Sequence, residues 1–346
     1  MPSNSASKDL VLWALASLPP AVVEERPALS VVAGDASSRR YFRLATDSSS
    51  YIVVEAPPAT EKNAEFVAIR ALLEHADIRV PMLHAADLQH GYLLLEDLGD
   101  QTLLPHLNDH SARRYYGTAL QILHKLAAIK PADPAFPRYD AALLSEELGR
   151  FDEWFVQGLL QHSPDSSGRA AMSALSGNLI ASALEQPEVL VHRDFHSRNL
   201  MLQPDEQLAV IDFQDAVIGP LTYDLVSLLR DCYIQWPADQ VRGWALEYRY
   251  QLPAEVLAPG VSDDAFLQWF DWMGLQRHIK VLGTFARLYL RDGKTAYLQD
   301  LPLVLDYVRE VLGVYRDQNA AFAGFADWFS QALEPAIAQQ AWSAAP

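Results

Sequence analysis

Two carboxylates and one carboxamide lie close together near the middle of this chain, each at the end of a short apolar run. The segment Val191-His192-Arg193-Asp194-Phe195-His196-Ser197-Arg198-Asn199-Leu200-Met201-Leu202 puts Asp194 and Asn199 on one loop. The segment Leu208-Ala209-Val210-Ile211-Asp212-Phe213-Gln214-Asp215 puts Asp212 at the end of the next strand. Such oxygen donors suit phosphoryl transfer. A carboxylate and an amide hold Mg²⁺ against nucleotide phosphates, and a second carboxylate orients the acceptor hydroxyl. A lone Asp is more often a turn or cap residue, so the joint pattern carries the reading. His192, Asp194 and His196 also mimic a metallohydrolase ligand cluster, but that reading leaves Asn199 and Asp212 without a purpose.

Elements able to position these groups follow from patterning. Ala28–Val32, Arg40–Ala45 and Tyr51–Ala56 are short β-branched or aromatic segments separated by turn residues, which predicts an antiparallel meander. Thr60–Ala76 has helical spacing with Phe66, Ile69 and Leu73 on one stripe. Two further strands are expected near Met82–Ala86 and Tyr92–Glu96, and Asp97-Leu98-Gly99-Asp100 is a natural break. Beyond it the pattern turns helical, as in Ala112–Ile129 and Ala141–Leu160, apart from a small β element within Val189–Val217. This predicts an α+β chain with a small β-rich N-terminal lobe at 1–99 and a larger, mostly helical lobe at 100–346. With 27 basic against 44 acidic residues the net charge is −17, which disfavours nucleic-acid and anionic-membrane partners. Cys232 is the single cysteine, so no intrachain disulfide framework or cysteine-built zinc site is expected. The N-terminus lacks the order of a signal peptide, and no apolar run is long enough to span a bilayer. The expected setting is therefore the cytoplasm, with no obligate protein partner.

His-x-Asp-x-x-x-x-Asn, an apolar strand and then Asp-Phe is a specific signal of the kinase catalytic core. In fuller form, His192 to Asn199 resembles the His-x-Asp-x-His-x-x-Asn loop of aminoglycoside phosphotransferase-like kinases. Ile211-Asp212-Phe213-Gln214-Asp215 and Gly219-Pro220-Leu221-Thr222-Tyr223-Asp224-Leu225 resemble their following motifs. Gly34-Asp35-Ala36-Ser37-Ser38-Arg39-Arg40-Tyr41-Phe42-Arg43, Glu55-Ala56-Pro57-Pro58 and Leu93-Leu94-Leu95-Glu96-Asp97-Leu98-Gly99 are similar to one subgroup, the bacterial anomeric kinases of N-acetylmuramate and N-acetylglucosamine in cell-wall recycling.

The resemblance implies a bilobal protein-kinase-like fold and ATP with Mg²⁺ in a cleft between the lobes. It makes Asp194 the catalytic base, Asn199 and Asp212 the metal ligands, and Glu96 to Leu98 the hinge at the adenine. Asp224 is expected to brace the catalytic loop, and His192 and His196 to organise it. The acceptor is expected to be a small amino sugar phosphorylated at C1. An aminoglycoside, a choline-like alcohol, or a catalytically dead nucleotide-binding module are the alternatives.

One departure concerns the third-strand lysine that kinases use to hold the α- and β-phosphates. No lysine occurs between Lys8 and Lys62. Arg39, Arg40 or Arg43 are the proposed substitutes, with Arg39 and Arg43 on one face by strand alternation. Ser37 and Ser38 are expected over the phosphates, and Glu65, on the following helix, pairs with an arginine if it is not simply solvent-exposed. On the acceptor side, Gln276-Arg277-His278-Ile279-Lys280 and Arg287-Leu288-Tyr289-Leu290-Arg291 concentrate positive charge in an acidic chain. Arg277, Arg287 and Tyr289 are the candidate substrate residues, with Trp269 and Trp272 as further sugar-stacking surfaces. An Arg there matches the lactyl carboxylate of N-acetylmuramate with two parallel hydrogen bonds. A basic helix face is otherwise simply solvated.

Overall fold

A computed structural model of the chain describes residues 6–24, 28–32, 38–130 and 136–343. Nine strands form among the described residues: β1 Ala28–Val32, β2 Arg40–Ala45, β3 Ser50–Glu55, β4 Leu83–Asp87, β5 Tyr92–Glu96, β6 Glu188–Val191, β7 Leu200–Leu202, β8 Leu208–Val210 and β9 Val217–Pro220. The chain divides into two units, Met1–His106 with Arg198–Asp215, and Leu107–Ser197 with Ala216–Pro346. The expected cut at 99/100 is a single break in sequence; here the hairpin that begins after Asn199 is grouped with the first unit.

In the first unit the sheet is antiparallel, in the order β1-β2-β3-β5-β4. The five expected strands are all present. Register places Phe42 opposite Val53 and Leu44 opposite Tyr51. The two-residue period turns Phe42, Leu44, Val53 and Leu94 into one apolar cluster with Leu10, Ala14 and Leu18. Burying each of those leucines contributes roughly 1.5–3 kcal/mol. Leu10 and Ala14 belong to a helix, Lys8–Ala16, that starts where the Ser7 hydroxyl accepts the Leu10 N–H at 3.2 Å. A strand-rich reading of this region overlooked it, because Leu10-Val11-Leu12-Trp13-Ala14-Leu15-Ala16 is apolar throughout and shows no stripe.

The expected helix after β3 forms as Asn63–His75, with Phe66, Ile69 and Leu73 buried as its spacing predicts. Its start is fixed by Asn63, whose buried side chain donates to the Ala56 carbonyl at 2.7 Å. The β4–β5 turn needs Gly91. At φ +74° a Cβ there would meet the Ala56 carbonyl oxygen at 2.0 Å. The β7–β8 ribbon joins this unit through backbone bonds of 2.8 Å from Leu103 to Leu200, from Leu202 to Gln101 and from Val210 to Arg79.

The second unit is mostly helical, and β6 pairs antiparallel with β9 inside it. Its centre is a 30-residue helix, Asp263–Asp292, capped by the Ser262 hydroxyl and by Gly293 in the left-handed region at φ +69°. Every residue from Phe270 to Gly283 is buried. A helix enclosed on all sides must be apolar or must pair its polar groups. Ala141–Leu160, expected as one amphipathic helix, is α-helical over Ala141–Arg150 and widens to a π-helix over Phe151–Leu159. The widening begins where Gly283 lets another backbone approach: a Cβ there would lie 2.4 Å from the Arg150 carbonyl carbon. Among the described residues, no helix is long and apolar enough to cross a membrane.

Candidate active site

In the second unit, the loop that follows β6 is held at both ends by carboxylates. Asp224, in the first turn of the helix Tyr223–Leu229, accepts the backbone N–H of His192 at 2.6 Å and that of Arg193 at 3.0 Å. Asp231 accepts both the N–H and the hydroxyl of Ser197, at 2.9 and 2.5 Å. Between these anchors the Asp194 N–H donates to His192 Nδ1 at 3.2 Å, and the His196 ring meets Tyr233 edge-on at 5.4 Å. The expected loop-organising parts of His192, His196 and Asp224 match these contacts. Arg193 takes φ +79°, a left-handed conformation that is uncommon outside glycine and clusters at working sites.

Asp194 is surrounded by positive charge. Crowding alone raises its pKa, but the charges around it, led by Lys280 and including Arg277 and Arg193, win and bring it down to about 2. Lys280 Nζ lies 3.5 Å from Glu147 and donates to the Tyr223 hydroxyl at 3.1 Å. Glu147 is fully buried and also receives Arg193 and the Tyr139 hydroxyl. For Asp224 burial dominates instead and lifts its carboxyl to about 6. Burial also lowers the His196 imidazole below its ordinary value, which keeps this ring neutral at neutral pH. Sequence reasoning missed Glu147 and treated Lys280 as part of a basic face. The usable signal was three charges, Asp271, Arg277 and Lys280, within a helix otherwise apolar enough to be enclosed.

In the first unit, Asn199 and Asp212 sit at the same end of the β7–β8 ribbon, because Ile211 N–H donates to the Asn199 carbonyl at 3.1 Å. Asp212 is exposed, takes φ +64°, and its Oδ1 accepts from Gln214 Nε2 at 2.7 Å. Phe213 turns inward and stacks on Phe66 at 4.9 Å. Both side chains of the Asn199–Asp212 pair offer hard oxygen donors, the kind Mg²⁺ takes together with substrate phosphates. The donor set fits that ion.

The three arginines around β2 differ. Arg39 is buried, its guanidinium lies 5.5 Å over the Phe66 ring, and its Nε is 2.9 Å from Glu61. It is also electrostatically coupled to Tyr41, as is Asp212, so Arg39 and the Asp212 end of the ribbon share one neighbourhood. Arg40 pairs with Glu55 directly across the β2–β3 register. Arg43 is held between Asp97 at 2.6 Å and Asp100 at 2.8 Å. Glu65 is exposed; the acidic partner of Arg39 is Glu61, one turn earlier, which the sequence reading did not single out. Ser38 is exposed and bonds Thr60 at 2.9 Å and Glu61 at 2.5 Å, whereas Ser37 and the Gly34 turn lie outside the described residues. The Glu96 carboxylate accepts from Arg79 and from Met82 N–H. The Leu98 carbonyl accepts from Gln203 Nε2 at 3.3 Å. Asp97 is further fixed by Ser50 and by the N–H of Gly99, a residue at φ +80°.

The remaining acceptor candidates separate. Arg277 is coupled electrostatically to Asp194. Arg287 and Tyr289 come ten and twelve residues later on the same helix, about 15 and 18 Å along the axis at 1.5 Å per residue. Arg287 has Arg150 and Arg291 as charged neighbours, and Tyr289 packs against the apolar core. Trp272 is buried in that core, 4.6 Å from Phe322. Trp269, together with Gly177, Asn178, Ser182, Glu185 and Gln268, lines a shallow groove of about 400 Å³.

Residues 28–258 match the family described as the phosphotransferase enzyme family. The chain is similar to an N-acetylmuramate/N-acetylglucosamine kinase of Pseudomonas putida, with 44% identity over 82% of this chain and 84% of the relative. It is similar to one of that name from Neisseria meningitidis at 37% identity, over 85% and 89% of the two chains. Among solved structures it resembles a Plasmodium vivax ethanolamine kinase, with TM-score 0.65, 12% identity and coverage of 89% and 88%. It also resembles the aminoglycoside phosphotransferase APH(2'')-Ib with ADP bound, with TM-score 0.55, 14% identity and coverage of 85% and 99%. At these identities the two structures speak to the protein-kinase-like fold alone.

Proposed function

Because this chain belongs to the phosphotransferase enzyme family and is a phosphotransferase acting on a sugar hydroxyl, we propose that it moves the γ-phosphoryl group of ATP to the anomeric C1 hydroxyl of N-acetylmuramate or N-acetylglucosamine. In this reading it works in the cytoplasm on fragments released from the cell wall. The observation that carries it is Asp194, a carboxylate braced on a clamped loop and kept ionised by surrounding cations.

Asp194 accepts the hydrogen bond of the acceptor hydroxyl and aims its oxygen at phosphorus. At a pKa of about 2 it is a weak base, so its contribution is orientation. An anomeric hydroxyl, more acidic than an ordinary alcohol, needs little more. Asn199 and Asp212 hold Mg²⁺, which when bound neutralises charge on the phosphates. Arg39, buried and backed by Glu61, takes the part of the absent third-strand lysine, with Ser38 beside the phosphates. The backbone of Glu96 and Leu98 faces the adenine. Arg43 braces that segment through Asp97 and Asp100. The chain runs from Asp194 to Asn199 in five residues, which supports joint action of acceptor and metal groups.

The test is ATP consumption with N-acetylmuramate, N-acetylglucosamine, an aminoglycoside and choline, followed by phosphorus NMR of the product. Phosphate at C1 is expected, and phosphate on another oxygen overturns the regiochemistry. Asp194→Asn is expected to lose turnover by at least about a hundredfold while binding Mg-ATP within a few-fold; normal turnover removes Asp194 from this role.

A further inference from the structure

Within the enclosed stretch of the long helix, two of the three charged side chains have ionic partners. Asp271 receives Arg230 at 3.0 Å and the Tyr315 hydroxyl at 2.8 Å. Lys280 pairs with Glu147 at 3.5 Å. Arg277 differs. It is 3% exposed, its Nη1 donates to Cys232 Sγ at 3.4 Å, and its Nε has no hydrogen-bond partner among the described residues. Among those residues, no carboxylate lies within ion-pair distance of it.

A thiol sulfur is a weak acceptor, and a guanidinium cannot give up its proton to escape burial. A buried cation with unmatched donors is costly unless something pairs with it. Asp194 is coupled to it electrostatically but lies beyond ion-pair distance, and the other carboxylates around the Asp194 loop are already committed. Asp231 holds Ser197 and the Tyr233 N–H, the latter at 3.2 Å. Glu147 holds Tyr139, Arg193 and Lys280.

Position gives this fork its meaning. Arg277 precedes Lys280 by three residues and so shares its helix face. Its thiol partner, Cys232, follows directly on Asp231, which anchors the Asp194 loop. A planar donor pair beside the residue that orients the acceptor hydroxyl matches a carboxylate on that same acceptor, held by two parallel bonds.

We propose that Arg277 determines acceptor specificity: it receives the carboxylate of an acidic amino sugar and so favours N-acetylmuramate over its uncharged counterparts. The inference rests on the amino-sugar reading above. Its test compares N-acetylmuramate with its methyl ester and with N-acetylglucosamine, using wild type, Arg277→Gln and Arg277→Lys, with Mg-ATP at saturation and ADP release as readout.

In wild type the kcat/KM ratio of acid to ester is expected at about 10–100, the range of a charge-assisted hydrogen-bond pair. Arg277→Gln is expected to collapse that ratio to within about threefold of unity. Arg277→Lys, a point charge without the fork, is expected to restore part of it. A ratio unchanged in Arg277→Gln overturns the assignment, and so does a wild type indifferent to esterification. The wild-type comparison decides the matter even if Arg277→Gln does not fold. Absence of turnover with all three sugars overturns the amino-sugar reading itself, an outcome distinct from an unchanged ratio.

Discussion

Lys280→Met removes the foremost of the charges that hold Asp194 ionised. The carboxyl sits at about 2, with crowding working upward and Lys280 leading the cations that work downward. A nearby opposite charge lowers the pKa of a carboxylate by about 1–3 units. The substitution is therefore expected to raise Asp194 to about 3–5. Its ionised form is the one that orients the acceptor, so kcat in the variant should fall on acidification along a limb displaced upward by that amount, while wild type stays flat to below about pH 4.

The sign for stability follows. With its folded pKa depressed below the unfolded 3.8, Asp194 stabilises the native state above the unfolded value. That contribution is lost as pH falls through about 2, and at about 1.4 kcal/mol per unit it shrinks or reverses in the variant. Glu147 keeps Arg193 and Tyr139 when Lys280 is gone, so the fold is expected to survive with a lowered Tm. The assay is kcat at saturating Mg-ATP and sugar from about pH 3 to 8, with Tm recorded at each pH and Lys280→Arg as the charge-preserving control. A folded Lys280→Met enzyme whose acid limb coincides with that of wild type refutes the electrostatic argument.

Three further substitutions probe the nucleotide side. Asp212→Ala is expected to raise the Mg²⁺ concentration needed for half-maximal turnover by about tenfold or more, checked by Mg²⁺ titration at fixed ATP; an unchanged titration contradicts the ligand assignment. Arg39→Met is expected to raise the KM for ATP by about tenfold, in line with loss of a charge-assisted hydrogen bond, whereas Arg43→Met should act mainly on Tm because Arg43 is committed to Asp97 and Asp100. Equal KM effects of the two overturn the distinction between them.

Much of the fold and of the chemistry was legible before any coordinates. Strands β2, β3 and β5 are short runs rich in β-branched, aromatic or leucine residues between turn-rich gaps, and tertiary packing confirmed what local pattern required. The loop proposed to be catalytic stood out because a histidine, two aspartates and an asparagine at fixed spacing are informative wherever they occur. What escaped was decided by packing at a distance. Local propensity could not reveal Lys8–Ala16, apolar throughout from Leu10 and ordered by its burial on the sheet. Nor could it say which of Arg39, Arg40 and Arg43 is buried, since that depends on Glu61, Glu55 and Asp97 from other elements. The basic stretch Gln276–Lys280 looked like a solvated face, yet all five residues are buried, because the helix carrying them is surrounded on every side. Charge in sequence does not disclose whether water reaches it.

Arg193 and Asp212 both adopt left-handed backbone, a conformation that costs a side-chain-bearing residue about 1–2 kcal/mol. Heat-selected libraries would therefore drift toward glycine at 212, where the side chain is exposed, whereas at 193 that gain is opposed by loss of the buried Arg193–Glu147 pair. If Asp212 holds the metal as proposed, the robust clones so obtained would be poor catalysts, since glycine there erases its carboxylate. Anyone hardening this enzyme for practical use should freeze those two codons first and seek resilience elsewhere.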